Sequence, residues 1–491
     1  MAAPIPACHG CRARDREIAR LLQRIAELEG NEQRSQRRLA KLKKDNQRLR
    51  RDLDEARRQP HRQAGAFRRR HLKKRKKKPG RRKGHHAECR PTPAPEQIDR
   101  TIAVPCTVCP DCQSPLLELD QTTQFQTDLP PIVPIVTKFV NTTGYCPCCQ
   151  RRVQGRHPAQ NSKATGAAGN TIGPVALTMA AELKHRLGVP YRKICDFFKT
   201  YCNLQICPAT LVRAEQRLAE LAKPTYDLLI DALRRCDVVH ADETGWRISA
   251  LSAWLWVFTN KDITIYTIRT GPGARGHEIP AEILGPDFEG YLIVDGLKVY
   301  DVLGYAKGQC NAQLLRRAKE LKDTVDSKEQ PMMQTLIALL QEAMSLAERR
   351  EELTPPGYER RVQDIEQRFE AWQLKLIRKH ELSPELERLL KHIMKHFDEW
   401  LLFLREPQVP ATNNHAERML RPAVISRKVG GCNKTLRGAL VHSILASLMV
   451  TCQQQGRRFL DLARRLWQQD EPQAIHLPAP PPATPGATGA A

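Results

Sequence analysis

CDVVHADETGWRI, residues 236–248, is the stretch on which the fold turns. Val238 and Val239 are β-branched and apolar, and Ile248 lies beyond them; His240, Asp242, Glu243 and Thr244 stand between. A short apolar run that ends in acids reads as a buried strand delivering a carboxylate at its tip. Gly245 then reads as a tight turn. AWLWVFTN (253–260) and DITIYTIRT (262–270) have the same strand character, with Asn260 and Lys261 between them. The three runs predict an antiparallel meander, with Asp242 projecting from one end of a sheet. The plainer alternative makes Asp242 and Glu243 ordinary turn residues, and the rest of the chain must choose.

Downstream, GPGARGHEIP follows a strand but lacks the spacing of a phosphate-binding loop. FEGYLIVDGLKVYD then gives a second buried strand, Tyr291 to Val294, ending at Asp295. Glu289 and Asp301 flank it, and Asp301 is the competing acid. Residues 311–404 are helical in pattern and highly charged, with breaks at Pro331, Thr354–Gly357 and Pro384. The composition changes at VPATNNHAERMLRPAVISRKVGG. Asn413 and Asn414 read as helix caps, and Glu417 falls in the first turn of the helix that follows. Arg418, Arg421, Arg427 and Lys428 surround Glu417; taken alone, an acid among cations reads as a salt-bridge partner. ALVHSILASLMVTCQQQ is a buried helix, and residues 476–491 are a Pro/Ala-rich disordered tail.

At 491 residues the chain is too long for one core, so several domains are expected. Its formal charge of +25 calls for a polyanionic partner, nucleic acid first. No apolar run of about 18 residues spans a bilayer, and MAAPIPACHGCRAR is too short and polar for a signal peptide. The expectation is a cytoplasmic, nucleoid-associated protein without a membrane partner. There its 16 cysteines are thiols or metal ligands rather than disulfides.

Residues 15–58 carry a heptad seam. Ile18, Ile25, Leu39 and Leu53 share one position; Leu21, Leu28, Leu42, Leu49 and Ala56 share the other. Asn46 in the seam favours a parallel dimer in fixed register, while Glu32 and Ser35 weaken its middle. Pro60 ends this coiled coil. The arm that follows (60–90) holds twelve Lys or Arg and no acid between Arg68 and Lys83. Arg68, Arg69, Arg70, Lys73, Lys74, Lys76, Lys77 and Lys78 repel one another until they meet phosphate, so the arm reads as disordered and DNA-binding. Residues 98–158 contain Cys109–Cys112 and Cys146–Cys149. Two CxxC knuckles joined by strand-like runs such as IVPIVTKFV match a zinc ribbon with a structural Zn²⁺; Cys106 and Cys148 leave the ligand choice open. Cys8, His9 and Cys11 are a weaker metal signature. In residues 170–224, three helix-like segments (172–187, 191–199 and 208–221) suit a helix-turn-helix unit.

Three carboxylates, two at strand ends and one on a helix, can hold two Mg²⁺ or Mn²⁺ ions. Such a pair clamps the attacking and leaving oxygens of an in-line phosphoryl displacement, and the nearby Arg and Lys would hold the phosphodiester. HADETGWR, GYLIVDG and NNHAERMLRPAVISRK together resemble the three active-site blocks of the insertion sequence 66 family of transposases. The resemblance extends to KKKPGRRKGHH, CPDCQSPL and CPCCQRR. It implies a multidomain α+β protein with a ribonuclease-H-like D-D-E core (232–310 and 405–470) interrupted by a helical insertion (311–404). Carried over, the catalytic triad is Asp242, Asp295 and Glu417. One block departs from the family: CNAQLLRR has Gln313 where a Cys-x-x-His is usual. The expected activity is metal-dependent cleavage and strand transfer at the terminal inverted repeats of an insertion sequence, into target DNA, by a homodimer. The rivals are a catalytically degenerate DNA-binding relative and another ribonuclease-H-like nuclease.

Overall fold

The computed structural model describes residues 90–117, 120–379 and 381–477, and eight positions between 20 and 39. It divides into residues 1–77 and residues 78–491. In the first unit Leu21, Ile25, Leu28 and Leu39 of the heptad seam are helical and exposed on the single chain. The other seam positions, the basic residues from Arg68 to Lys78, Cys8 to Cys11, and the tail beyond residue 477 lie outside the described residues.

In the second unit the described residues form twelve helices and two sheets, a multidomain α+β architecture. The first sheet is a small antiparallel hairpin of β1 (Thr143–Cys146) and β2 (Arg151–Gln154). Next come α1 (Pro174–His185), α2 (Tyr191–Cys202) and α3 (Pro208–Arg234). The third runs well past the expected end at Leu221, straight through Pro224. A proline inside a helix costs about 3 kcal/mol. Beyond it Tyr226, Leu229 and Leu233 are buried in the main core, and each such side chain returns about 1.5–3 kcal/mol. Burial therefore carries the helix onto the sheet, where the Tyr226 hydroxyl donates to the Tyr266 carbonyl at 2.9 Å.

The second sheet contains the expected meander: β3 (Val238–Ile248), β4 (Leu251–Thr259) and β5 (Thr264–Thr270). One detail differs. Gly245 is no turn; it sits within β3 opposite Trp254, and the turn falls at Ser249, whose φ is 53°. The second turn is the anticipated one: the Asn260 Oδ1 accepts the main-chain N–H groups of Asp262 and Ile263. After α4 (Glu278–Leu284), β6 (Tyr291–Val294) pairs parallel with β3, and β7 (Ala306–Gln309) pairs parallel with β6. The strand order is β5-β4-β3-β6-β7.

Residues between β7 and the last acid fold as five helices: α5 (Asn311–Lys322), α6 (Gln330–Glu348), α7 (Pro355–Ile377), α8 (Pro384–Lys395) and α9 (Phe397–Arg405). Pro331, Pro355 and Pro384 lie at helix starts, where a missing N–H costs nothing. Leu336, Leu340, Val362, Phe369, Leu389 and Trp400 form a core for this helical segment, which meets the sheet at Ile293. Finally α10 (Asn414–Gly430), α11 (Leu436–Gln454) and α12 (Phe459–Gln468) close the fold. α10 packs one face of the sheet through Ala416, Leu420 and Ala423, while α3 and α4 pack the other. α11 is long and apolar enough for a membrane span, yet 72% of that window is buried in the protein. It covers the outer edge of β5, where Ser447 and Thr451 hydroxyls accept the N–H groups of Tyr266 and Thr264; an edge strand covered this way is closed to further pairing.

Candidate active site

Strand register brings the first two acids together. Val238, Val239 and His240 pair with Tyr291, Leu292 and Ile293, a constant offset of 53 residues. Two steps further the same offset sets Asp295, just past the end of β6, level with Asp242. Side chains alternate along a strand. Val239 and Leu292 face the α3 side. Asp242 and Asp295 therefore share the opposite face, the one α10 covers. Asp242 thus lies mid-strand rather than at a strand tip, and neither it nor Glu243 is a turn residue. It stands where β3 outruns β6.

Glu417 is in the first turn of α10, and Asn413 pins that turn to β3. Asn413 occupies the cap position, but its side chain bonds no helix N–H. Instead its Nδ2 donates to the Ala241 carbonyl at 2.7 Å, and its Oδ1 lies 2.9 Å from the His240 Nδ1. Its own N–H donates to the Cys310 Sγ at 3.2 Å. The fully buried Asn413 and Cys310 thus fasten the helix carrying Glu417 to the strand carrying Asp242. Gln313 sits in the first turn of α5, partly buried, its N–H donating to the Cys310 carbonyl.

The electrostatics record the crowding. Burial pushes the Asp242 carboxyl up to about 8, and the negative charges of Asp295, Glu243 and Glu417 add to the effect. Asp295 is also raised, chiefly by burial, with Glu417 contributing and Arg275 opposing. Each Asp uses Oδ1 to accept a main-chain N–H, from Glu243 at 2.8 Å and from Leu297 at 3.2 Å. That fixes each carboxyl and leaves one oxygen of each for another partner. His240 is lowered to about 4 by burial, so it stays neutral at physiological pH.

Neighbouring residues sort into other roles. Glu243 faces the far side of the sheet, buried, with its Oε1 2.7 Å from the Arg275 Nη2. Its Oε2 and the hydroxyl of buried Tyr300 have no partner among the described residues. Asp301 is committed elsewhere: it pairs with Lys395 and lies 3.5 Å from His396, both in the helical segment after β7. Arg427 donates to the Thr244 Oγ1 at 3.1 Å and to the Gly245 carbonyl, which ties the far end of α10 to β3. Arg418, Arg421 and Lys428 are exposed on the same helix. Sequence reasoning missed Arg275, Tyr300 and the reach of Asn413; only the Asn-Asn pair before an acid-bearing helix hinted at the last.

The cysteine knuckles form as two separate local turns. The Cys109 N–H donates to the Ser114 carbonyl at 2.8 Å, and the Cys149 N–H donates to the Cys146 Sγ at 3.4 Å. Hydrogen bonds from Ser114 and Cys109 lower Cys112 to about 7, and bonds from Cys149 and Cys148 lower Cys146. Among the described residues no three His, Cys, Asp or Glu side chains converge closely enough to form a ready metal site.

Residues 169–440 match a family model described as Transposase IS66 family. All three acids fall inside that span; the cysteine knuckles fall outside it. A protein of Sinorhizobium fredii known as uncharacterized protein y4jD is 23% identical over 396 residues, which cover 73% of this chain and 74% of that one. A second from the same organism, uncharacterized protein y4jO, is 32% identical over 75 residues, 15% of this chain and 23% of its own length.

Proposed function

The chain belongs to the IS66 family of transposases, and from that premise we propose that it cleaves and joins DNA at the terminal inverted repeats of an insertion sequence through Asp242, Asp295 and Glu417. The observation that carries this reading is the shared register and face of Asp242 and Asp295 beneath the helix bearing Glu417. The strand order, three antiparallel strands followed by two parallel ones, supports a ribonuclease-H-like core with α5–α9 as its insertion.

The donor chemistry suits a divalent cation: burial and the charge of Glu417 raise both aspartates, and each aspartate keeps one oxygen free, though the three acids would still have to close on the ion. Oxygen ligands of this kind suit Mg²⁺ or Mn²⁺. When bound, a pair of such ions supplies activation of water or a 3′-hydroxyl and charge neutralisation at the leaving oxygen. The chain's own residues do the rest. Main-chain N–H groups of Glu243 and Leu297 hold the two aspartates in place. Asn413 holds Glu417 within electrostatic reach of both. Arg418 and Arg421 present cations along α10 to the phosphodiester.

The remaining parts of the proposal concern assembly. The two knuckles, separate in the structure, would be drawn together by one structural Zn²⁺ held by Cys109, Cys112, Cys146 and Cys149; two of these thiols are lowered towards thiolate. The exposed apolar positions Leu21, Ile25, Leu28 and Leu39 form part of a dimer seam, and the arm from Arg68 binds duplex phosphates in the nucleoid. The test is incubation of the full chain with labelled duplex carrying the inverted repeats that flank its gene. Nicking at the element end that requires Mg²⁺ and stops with chelator is expected. Intact ends under all conditions would overturn the reading.

A further inference from the structure

Apart from Arg275, the Gly-rich loop at residues 271–276 plays no part in the site described so far, yet it forms one wall of an open cleft of about 540 Å³. The other wall is the start of β4, with Leu251, Ser252 and Trp254. Gly271 and Gly273 have φ of 89° and 79°, conformations that favour glycine, so the loop offers bare backbone to the cleft. A Cβ at Gly271 would meet nothing within 4 Å. Between the walls the Arg275 guanidinium stacks on Trp254, 4.2 Å from the ring centroid. Arg275 is held there by Glu243, through Nε at 3.1 Å and Nη2 at 2.7 Å.

Glu243 is the chain neighbour of Asp242, so one residue step separates the cleft from the acids. The two lie on opposite faces of β3, because Trp254 pairs with Gly245 and Asp242 with Val257. β3 extends past its pairing with β6, which ends at His240. A DNA strand reaching from the acids to the cleft would have to round that edge, where Arg427 meets Thr244 and Gly245.

An aromatic face capped by a guanidinium, beside bare backbone, suits a planar, electron-rich group next to a phosphate. Every nucleobase has such a face, and base–aromatic stacking tolerates any sequence. Charge complementarity points the same way, since the chain carries +25. A stacked duplex keeps its bases covered, so the occupant must be unpaired.

We propose that this cleft receives one unpaired nucleobase of the bound DNA, stacked on the Trp254–Arg275 pair on the face of β3 opposite the three acids. The proposal rests on the transposase reading only for the presence of DNA. Its role is to hold a frayed strand whose backbone rounds the β3 edge from the acids.

Anisotropy of the full chain with two labelled probes tests it: a blunt duplex, and the same duplex with a short single-stranded overhang carrying 2-aminopurine. The wild type should prefer the overhang and quench its 2-aminopurine. Trp254→Ala should weaken overhang binding about tenfold, equivalent to about 1.4 kcal/mol, abolish quenching, and leave blunt-duplex affinity unchanged; Trp254→Phe should retain most of both. Ser252 is exposed at the rim, so Ser252→Glu should reproduce the loss with the core intact, even if Trp254→Ala misfolds. Unchanged overhang affinity and quenching in Ser252→Glu and in folded Trp254 variants would overturn the cleft assignment alone. A wild type that binds neither probe would overturn it together with the transposase reading.

Discussion

Replacing Asp242 with Asn should stabilise the metal-free protein, by an amount that grows with pH. The folded carboxyl titrates at about 8 against an ordinary value of 3.8. Below pH about 4 it is protonated whether the chain is folded or not, and it contributes no difference. Between about 4 and 8 the unfolded chain has released a proton that the folded chain still holds. Stability then falls as pH rises, by up to about 1.4 kcal/mol per pH unit. Integrated to pH 8 the ceiling is about 5 kcal/mol. Asp295 and Glu243 are raised beside it and share the titration, so about 2–3 kcal/mol is expected for this one carboxyl. Asn has no charge to bury. In thermal melts with chelator, Asp242→Asn should therefore gain about 4–10 °C over the wild type at pH 8, and much less at pH 5. Mg²⁺ at about ten times its dissociation constant should add about 1.4 kcal/mol to the wild type and little to the variant. A variant that melts below the wild type at pH 8, or a difference that does not change with pH, would refute the crowded-carboxylate reasoning.

Three further outcomes follow from other parts of the molecule. Asn413→Ala removes buried bonds to Ala241 and His240 and should cost about 2–4 kcal/mol in urea unfolding, with nicking lost more than DNA affinity; equal losses would make Asn413 a fold residue only. Purified protein should contain about one zinc per chain, and Cys109→Ser should lower it; unchanged content would remove the ribbon. Deleting residues 15–58 should halve the particle mass in sedimentation, and an unchanged mass would place the dimer contact elsewhere.

The meander was legible because its apolar runs have no helical alternative and Asn260 makes a turn with its own side chain. Gly245 misled: an isolated glycine reads as a break, but pairing with Trp254 and the clasp of Arg427 keep it in the strand. Pro224 misled in the same way, since the burial that carries α3 through it is tertiary. Asp242 and Asp295 could both be singled out from sequence, yet their common face depends on a parallel register that no local pattern encodes. Asp301 looked equivalent to Asp295 until its pairing with Lys395 showed it tethering the helices that follow β7. The reach of Asn413 to Ala241, across 172 residues, could not be read from a cap motif.

The central claim, that Asp242, Asp295 and Glu417 act as one metal-holding unit, is tested most directly by nicking of labelled element-end DNA in Mg²⁺. The measurement compares the wild type with Glu417→Gln, alone and combined with Asp242→Asn. Glu417→Gln should lose nicking by about a thousandfold or more while still binding the DNA, and the second change should cost little further. Full nicking by Glu417→Gln would contradict the account and return Glu417 to the role of a salt-bridge partner on α10.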